Sequence, residues 1–321
     1  MLRWFAALAT LVVLATAPGV QAQDNFPSRT IRLVVSFPPG GGVDAVARLF
    51  ADKMSAMLGQ TVVVENRGGA SGTIAGKQVA AADADGHTVL VASNSMVVAQ
   101  AMNPSVGLDI ERDLYAVASV APQAVIVVSR PDLPAASLKD LIELARSRKL
   151  NYGSPGAGSV PHLVLEHLFV STAPARMEHV PFPGAAQALT GVLGGQIEVA
   201  VVTLPPAASL VAAGKLKGIA VTTTSRASAL PQVPTAAEAG YPNVKVTVWN
   251  GFFVPAKTPK PIRDRLSDTV LKVAAMPDIA QKLAQLGFER SSIAGEQFQR
   301  DVAAELKTWA AVVEQAGLRP K

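Results

Sequence analysis

The chain has 321 residues, of which 49% are hydrophobic and 17% are charged, so it can bury a large core and is long enough for about two domains. Its 29 basic and 24 acidic residues give a net charge of +5, and because the basic residues are scattered, apart from a cluster at 146–149, the composition favours small anionic ligands over nucleic acid. The absence of cysteine excludes disulfides, thiolate catalysis and cysteine zinc sites.

The first 22 residues have the pattern of a secretory signal peptide. Arg3 gives a short basic start, residues 4–15 form an apolar stretch, and residues 20–22 supply the small side chains that a signal peptidase requires. An uncleaved membrane anchor is the alternative. We expect cleavage after Ala22, a mature protein that works outside the cytoplasm, and no later segment able to cross a bilayer.

A strand predicted at 30–36 leads through a turn rich in proline and glycine into a helix predicted at 43–58. The turn has almost no side chains, so its peptide N–H groups can point at one spot just before the helix begins. Such a helix N-terminus suits an anion, although a tight turn without a ligand fits equally well. Asp44 lies four residues before Arg48, where it can cap the helix and form an ion pair.

The strand, turn and helix pattern then repeats. A strand at 61–65 is followed by a glycine-rich turn at 66–72 and a helix to about residue 82. This turn is not a phosphate loop, because Ser71 stands where the motif needs glycine and Gln78 replaces the required Ser or Thr. The next strand, 87–91, ends at the polar residues 93–95, the edge of an open α/β sheet at which ligands bind.

The second half of the chain repeats the design of the first. An apolar run at 125–128 is followed by a break at 130–134, which indicates a crossing into a second domain. After a helix that begins with a capping box at Ser137, a strand at 150–154 feeds a Gly/Pro/Ser turn and a helix at 160–170. Two such turns, one in each half, predict two walls of a single anion-binding cleft.

The remaining elements continue the α/β rhythm and end in helices. Strands are predicted at 176–180, 197–203, 216–222 and 245–254, and helices at 184–193, 205–213, 261–275, 278–286 and 295–316. The strand at 245–254 carries the chain back to the first domain. Two α/β domains joined by two crossings make a hinged cleft.

Several residues invite a catalytic interpretation. His162, Glu166, His167 and His179 lack the spacing of zinc peptidases, so a structural role for His162, with Glu166 one turn away, is favoured. Ser154 and Ser159 stand outside any Gly-x-Ser-x-Gly elbow and are better hydrogen-bond donors than nucleophiles. Pro161 occupies the place of the third glycine in a dinucleotide fingerprint.

A set of separated motifs, spread over essentially the whole mature chain, resembles the extracytoplasmic substrate-binding receptors of the tripartite tricarboxylate transporter family, often called Bug receptors. Each motif is weak by itself, whereas their order and spacing together are specific. The carriers are residues 35–44 with Arg48, Val-Glu-Asn-Arg-Gly-Gly-Ala at 64–70, Asp-Gly at 85–86, residues 152–163, His-Val-Pro at 179–181, Gly-Gly-Gln at 194–196, residues 233–240, Trp-Asn-Gly at 249–251 and residues 255–259.

The resemblance implies an α/β fold of the type II-like periplasmic binding proteins, in which two domains close like a Venus flytrap about two crossover strands. We expect domain 1 to comprise residues 23–125 and 253–321, and domain 2 residues 126–252. The implied protein is a periplasmic monomer without cofactor, metal site or catalytic activity. It captures a small carboxylate and delivers it to integral membrane permease subunits.

By matching motifs, the ligand is expected to meet one strand-to-helix loop from each domain and two strand ends. The implied ligand-binding residues are Phe37, Pro38, Gly41, Gly42, Asp44, Ser93, Asn94, Ser154, Gly156, Ala157, Gly158, Ser159 and Thr203. We hypothesise that Asp44 mainly caps its helix and holds its loop, and contacts the ligand poorly as a charge.

Two departures from the family pattern bear on the ligand. Many relatives carry an acidic residue where Val202 and Thr203 stand, and a tyrosine and lysine where this chain has Phe182 and Pro183. An aromatic or simple dicarboxylate is therefore preferred over an amino acid. Two other functions stay open: a receptor that signals to a membrane sensor kinase, and a secreted enzyme on the same scaffold.

Overall fold

The computed structural model describes residues 26–172 and 177–315; the predicted signal peptide and its cleavage site lie outside these ranges. Within them the strands are Ile31–Val35 (β1), Val62–Asn66 (β2), Thr88–Ser93 (β3), Leu114–Ser129 (β4), Asn151–Ser154 (β5), Glu178–Pro181 (β6), Val199–Thr203 (β7), Lys217–Val221 (β8), Thr247–Pro255 (β9) and Ser292–Ala294 (β10). The helices are Gly42–Leu58 (α1), Thr73–Ala80 (α2), Ser95–Met102 (α3), Ile110–Asp113 (α4), Leu138–Ser147 (α5), Val160–Ser171 (α6), Ala185–Leu193 (α7), Leu204–Ala212 (α8), Lys260–Ala275 (α9), Pro277–Gln285 (α10) and Gly295–Gln315 (α11).

Two long strands join two groups of parallel strands. The strand order is β2-β1-β3-β9-β4-β7-β5-β6, with β8 and β10 also paired to β4. β1 pairs in parallel with β2 and β3, and β5 pairs in parallel with β6 and β7, whereas β4 and β9 run antiparallel to their neighbours. This confirms the predicted α/β fold with two crossover strands of the type II-like binding proteins.

Helices cover both faces of each half of the sheet. In the first half α1, α9 and α10 pack on one face and α2, α3 and α11 on the other. In the second half α5 and α6 pack on one face and α7 and α8 on the other. Strands enclosed on both sides read as continuous apolar runs, as β3 and β7 do. The prediction of β1 rests instead on the alternation of Ile31, Leu33 and Val35, between which Arg32 is exposed.

The largest difference from the sequence-based prediction concerns β4, which begins at Leu114 and not at the apolar run 125–128. Its middle is irregular: the pairing with β9 shifts between Val120 and Gln123, and Ala121 has a φ of 47°. Pro122 also lacks the N–H that a strand interior normally uses. Because of these breaks, the first part of β4 is not recognisable as a strand from the sequence. The pairing partner of β4 changes from β9 to β7 at Val125, before the predicted crossing at 130–134.

Most other boundaries lie within a few residues of their predicted positions. The short strand β10 and the single-turn helix α4 were not predicted, because three or four residues carry too little periodicity to be recognised. Across the described residues no helix has the length and apolarity that a membrane crossing needs.

Candidate functional site

A narrow cavity lies at the junction of the two halves. The space open to the centres of water molecules is about 30 Å³, and no lining side chain is charged. The residues that line it are Phe37, Pro38, Gly41, Gly42, Val43, Ser93, Ser95, Pro155, Pro161, Ala185, Thr203 and Val248.

Five helices begin at this cavity, because each follows a parallel strand whose carboxyl end faces the junction. They are α1, α3, α6, α7 and α8, which start after β1, β3, β5, β6 and β7. The N-cap residues of α1, α3, α7 and α8 form no side-chain cap hydrogen bond. The first N–H groups of a helix have no acceptor inside the helix, so the termini of α1 and α7 present donors and partial positive charge. The other two termini present fewer donors, because Pro205 and Pro206 of α8 have no N–H and the Ser95 N–H of α3 donates to Ser93 Oγ at 3.4 Å.

The first wall is the α1 loop, residues 37–44, which is held by the carboxylate of Asp44. That carboxylate accepts hydrogen bonds from the Gly40 N–H (3.0 Å), from Arg48 Nε (3.0 Å) and from Asn66 Nδ2 (2.9 Å). Asn66 Nδ2 also donates to the Phe37 carbonyl oxygen at 2.9 Å. Asp44 is 4% exposed and does not line the cavity.

Electrostatics keep Asp44 ionised. Burial by itself would raise the pKa of its carboxyl group, but the hydrogen bonds from Arg48, Gly40 and Asn66 outweigh burial and lower the pKa below its ordinary value. The expected ion pair with Arg48 is present, with Nη2 and Oδ1 3.0 Å apart. Because its oxygens already have these partners, Asp44 holds the loop while its negative charge stays out of the cavity.

The second wall is the α6 loop, residues 154–159, together with the start of α6. Ser159 is the N-cap: its Oγ accepts the His162 N–H and donates to the Gly156 carbonyl oxygen. Gly156 and Gly158 have φ values of 123° and 74°, a backbone that glycine adopts without strain. The cavity is bordered here by the two prolines that flank the loop, Pro155 and Pro161.

Two strand ends complete the lining. Ser93 and Ser95 flank Asn94 at the end of β3, and only the two serines line the cavity. The amide of Asn94 points away from it and donates to the Thr247 carbonyl oxygen (3.0 Å) and to Glu305 (2.8 Å). Thr203, the N-cap of α8, lines the opposite side.

The two halves of the chain also touch each other beside the cavity. Ser71 Oγ donates to the Ala157 carbonyl oxygen at 2.8 Å, and the Val160 N–H donates to Ser95 Oγ at 3.1 Å. A Cβ built on Gly184 would lie 3.3 Å from Pro38 Cδ, so the α1 loop and the start of α7 are also in close contact. The described chain is therefore in a closed arrangement.

The predicted ligand-binding residues fall into two groups. Those that line the cavity are Phe37, Pro38, Gly41, Gly42, Ser93 and Thr203, and those that lie behind or beside the lining are Asp44, Asn94, Ser154, Gly156, Ala157, Gly158 and Ser159. Lining residues missing from the prediction are Val43, Ser95, Pro155, Pro161, Ala185 and Val248. Three of these belong to the predicted loops and their helices, and Ser95 belongs to the predicted polar strand end at 93–95. Ala185 follows a third Pro/Gly turn at 181–184 that could have revealed it. Val248, an apolar residue on a crossover strand, has no such signal.

Of the residues considered for catalysis, Ser154 and Ser159 belong to the α6 loop, His162 and His179 contact that loop, and His167 is exposed on α6. His162 Nε2 is 4.0 Å from Glu166 Oε1, which accepts a hydrogen bond from the Tyr152 hydroxyl. The ranges 26–172 and 177–315 contain no group of three or more His, Asp or Glu residues placed to hold a metal ion.

Comparison with known proteins shows the same scaffold in solved structures. The periplasmic binding protein BugD is 31% identical, with a TM-score of 0.88 over 92% of this chain and 100% of that one. Rpa4515 of R. palustris with adipate is 33% identical, with a TM-score of 0.88 over 92% and 100%. MatC (Rpa3494) of Rhodopseudomonas palustris with bound malate is 32% identical, with a TM-score of 0.82 over 90% and 100%.

The family comparison covers most of the chain. Residues 46–318 match the family described as tripartite tricarboxylate transporter family receptor. Its members and the structural neighbours above are binding receptors and not enzymes. The chain therefore belongs to the tripartite tricarboxylate transporter receptor family and is a solute-binding receptor with the fold of the Bug proteins.

Proposed function

We propose that this receptor captures a small carboxylate in the cleft between its two halves and delivers it to integral membrane permease subunits. One observation carries the proposal: the N-termini of α1 and α7, which have no side-chain cap, open onto a cavity whose lining has no charged side chain, and α3 and α8 begin at the same cavity. Backbone N–H groups at helix N-termini bind anions.

Such a site suits a transport receptor. Hydrogen bonds from N–H groups to an ionised oxygen are short and strong. A lysine or arginine buried opposite the ligand would have to lose its own hydration. Donors fixed in the backbone orient a carboxylate without that penalty, and they let the ligand leave when the cleft opens.

The neighbours support the carboxylate class. Rpa4515 is described with adipate and MatC with malate, and both are more than 30% identical to this chain. The lining here combines hydroxyl groups of Ser93, Ser95 and Thr203 with apolar groups such as Phe37 and Val248. An uncharged, partly apolar lining fits a simple or aromatic dicarboxylate better than an amino acid, whose ammonium group would need an acceptor.

Closure follows from the two crossover strands. We assign residues 26–125 and 253–315 to domain 1 and residues 126–252 to domain 2, with β4 and β9 as the hinge, because the pairing of β4 changes partner at Val125. The two domains rotate about these strands, exclude water and strengthen the ligand hydrogen bonds. We further propose a periplasmic monomer that is cleaved after Ala22.

A binding screen tests the proposal. Adipate, malate, succinate and benzoate, with their amide analogues as controls, are compared by thermal shift and hits are measured by calorimetry. A ligand at about one hundred times its Kd should stabilise the fold by about 2.7 kcal/mol. Stabilisation by carboxylates and not by the amides is expected. Equal shifts with amides, or none with any carboxylate, would contradict it.

A further inference from the structure

Two histidines are stacked directly beneath the α6 loop, outside the cavity lining. The rings of His162, on α6, and His179, on β6, have centroids 4.1 Å apart and are inclined by 29°. We call them the histidine pair. The pairing of β5 with β6 sets Tyr152 opposite His179, and the Tyr152 ring lies 4.9 Å from the ring of His179 and 6.4 Å from that of His162.

Each histidine holds one part of the α6 loop. The Gly158 N–H donates to His162 Nδ1 at 3.2 Å, so this nitrogen must be free of a proton. Ser154 Oγ lies 2.8 Å from His179 Nε2 and donates its single proton to the Gly156 carbonyl oxygen at 3.0 Å. The hydroxyl therefore accepts from His179 Nε2–H, which fixes the tautomer of that ring.

The opposite side of the same loop forms the contacts that close the cleft. Its Ala157 carbonyl oxygen accepts from Ser71 Oγ, and the Val160 N–H that follows it donates to Ser95 Oγ. Pro155 and Pro161 border the cavity. A displacement of the loop would therefore change both the interdomain contacts and the shape of the cavity.

The surroundings of the histidine pair favour the neutral form. Among the described residues, the titratable side chains that contact it are Tyr152 of β5 and Glu166 of α6. Burial lowers the pKa of His162 to about 4. Burial, and to a smaller extent the charge of His162, lower the pKa of His179 to about 4, although the nearby Glu166 acts to raise it.

We infer that His162 and His179 are positioning residues that hold the α6 loop in its closed, ligand-binding geometry only while both rings are neutral. Protonation of His162 removes the acceptor of the Gly158 N–H, and protonation of both rings places two cations in stacking contact. The part of this inference that concerns ligand binding rests on the proposed function. The receptor would then lose affinity in acid by more than protonation of the ligand carboxylate alone explains.

The test uses three variants of the full mature chain. His162→Ala removes the acceptor, while His162→Asn keeps an oxygen near the position of Nδ1 and cannot be protonated in this range. His167→Asn is the matched control, because His167 is exposed on the same helix. Hydrogen exchange of residues 154–160 is measured without ligand, and adipate affinity is measured from about pH 7 to about pH 4.

The expected results separate positioning from general stability. At neutral pH, His162→Ala should accelerate exchange at Gly158 and weaken adipate binding by about tenfold, whereas His162→Asn and His167→Asn should resemble the wild type. On acidification the wild type and His167→Asn should lose adipate affinity more steeply than His162→Asn, because only they carry a His162 that can be protonated. Protonation of adipate itself affects all the proteins equally. Unchanged exchange in His162→Ala, or superimposable pH profiles, would overturn the inference.

Failure of the proposed function would look different. If adipate and the other carboxylates of the screen bind to none of the proteins, the carboxylate assignment fails, and the exchange rates still decide whether the histidine pair positions the loop.

Discussion

The two loops that face each other across the cleft are fixed in opposite ways. The α1 loop is held by a charge: the buried carboxylate of Asp44 collects donors from Gly40, Arg48 and Asn66. The α6 loop is held by two neutral imidazoles, one of which accepts the Gly158 N–H. In both cases the supporting side chains lie behind the loop and not in the cavity.

The difference separates their responses to acid. The pKa of Asp44 is lowered, so its support persists as the pH falls toward the ordinary range of a carboxyl group. The pKa values of the histidine pair are also lowered. A lowered pKa of a histidine means that the folded protein favours the neutral ring. The unfolded chain therefore takes up protons first, and stability falls as the pH drops from about 6.5 to about 4. Acid should loosen the α6 loop before the α1 loop.

The largest effect is expected from filling the contact between the α1 loop and β4. A Cβ on Gly42 would lie 2.1 Å from Oε1 of the fully buried Gln123, which donates to Asn250 through Nε2 at 3.2 Å. Overpacking of this kind costs about 1–3 kcal/mol. Gly42→Ala should therefore lower the melting temperature by several degrees in calorimetry.

Gly41→Ala is the matched control for that substitution. Gly41 has an ordinary φ of −90°, and the nearest atom to an added Cβ is the Pro38 carbonyl oxygen at 3.9 Å. The melting temperature of the Gly41→Ala variant should stay near the wild-type value. Equal losses in the two variants would show that Gln123 does not constrain the start of α1.

The next effect concerns the charge that supports the α1 loop. Asp44→Asn keeps the size of the side chain but leaves the donors of Arg48, Gly40 and Asn66 with too few acceptors. We expect a loss of about 1–3 kcal/mol in the free energy of unfolding, with adipate affinity unchanged because the carboxylate does not line the cavity. Denaturant unfolding and calorimetric titration measure the two quantities.

The pH dependence of this variant checks the assignment. The folded-state pKa of Asp44 is below its ordinary value of 3.8, so its contribution to stability is present above that value and is lost as the pH falls through the folded-state pKa. The gap in unfolding free energy between wild type and Asp44→Asn should narrow in acid. A large affinity loss at normal stability would instead give Asp44 a direct role in binding.

The fold and both loops could be predicted from the sequence for a physical reason. Strands that are buried on both faces produce apolar runs, and the turns that follow them need glycine and proline, so both leave local signals. Both predicted loops border the cavity, and six of the predicted residues line it; their contact with a ligand stays a prediction.

What could not be predicted depends on contacts between distant segments. The start of β4 is hidden by Pro122 and the bulge near Ala121. The histidine pair depends on the register of β5 and β6, which sets Tyr152 opposite His179, and no spacing in the sequence encodes that register. Local patterns therefore locate the loops, whereas the side chains that support them become visible only in the assembled sheet.

The smallest effect is expected where the turn at Ser71 meets the α6 loop. Ser71 Oγ donates to the Ala157 carbonyl oxygen across the cleft, and Ser71→Ala removes this bond without changing the backbone preference at its φ of 52°. One hydrogen bond contributes about 0.5–1.5 kcal/mol, so adipate should bind about three- to tenfold more weakly, with the change in the dissociation rate. Ser147→Ala, which removes an exposed serine bond to the Leu144 carbonyl oxygen, is the control. The Ser71 bond exists only when the cleft is closed. Stopped-flow measurements should therefore show faster ligand dissociation in Ser71→Ala and an unchanged association rate. Equal dissociation rates in the variant and the wild type would mean that this bond does not help to keep the cleft closed.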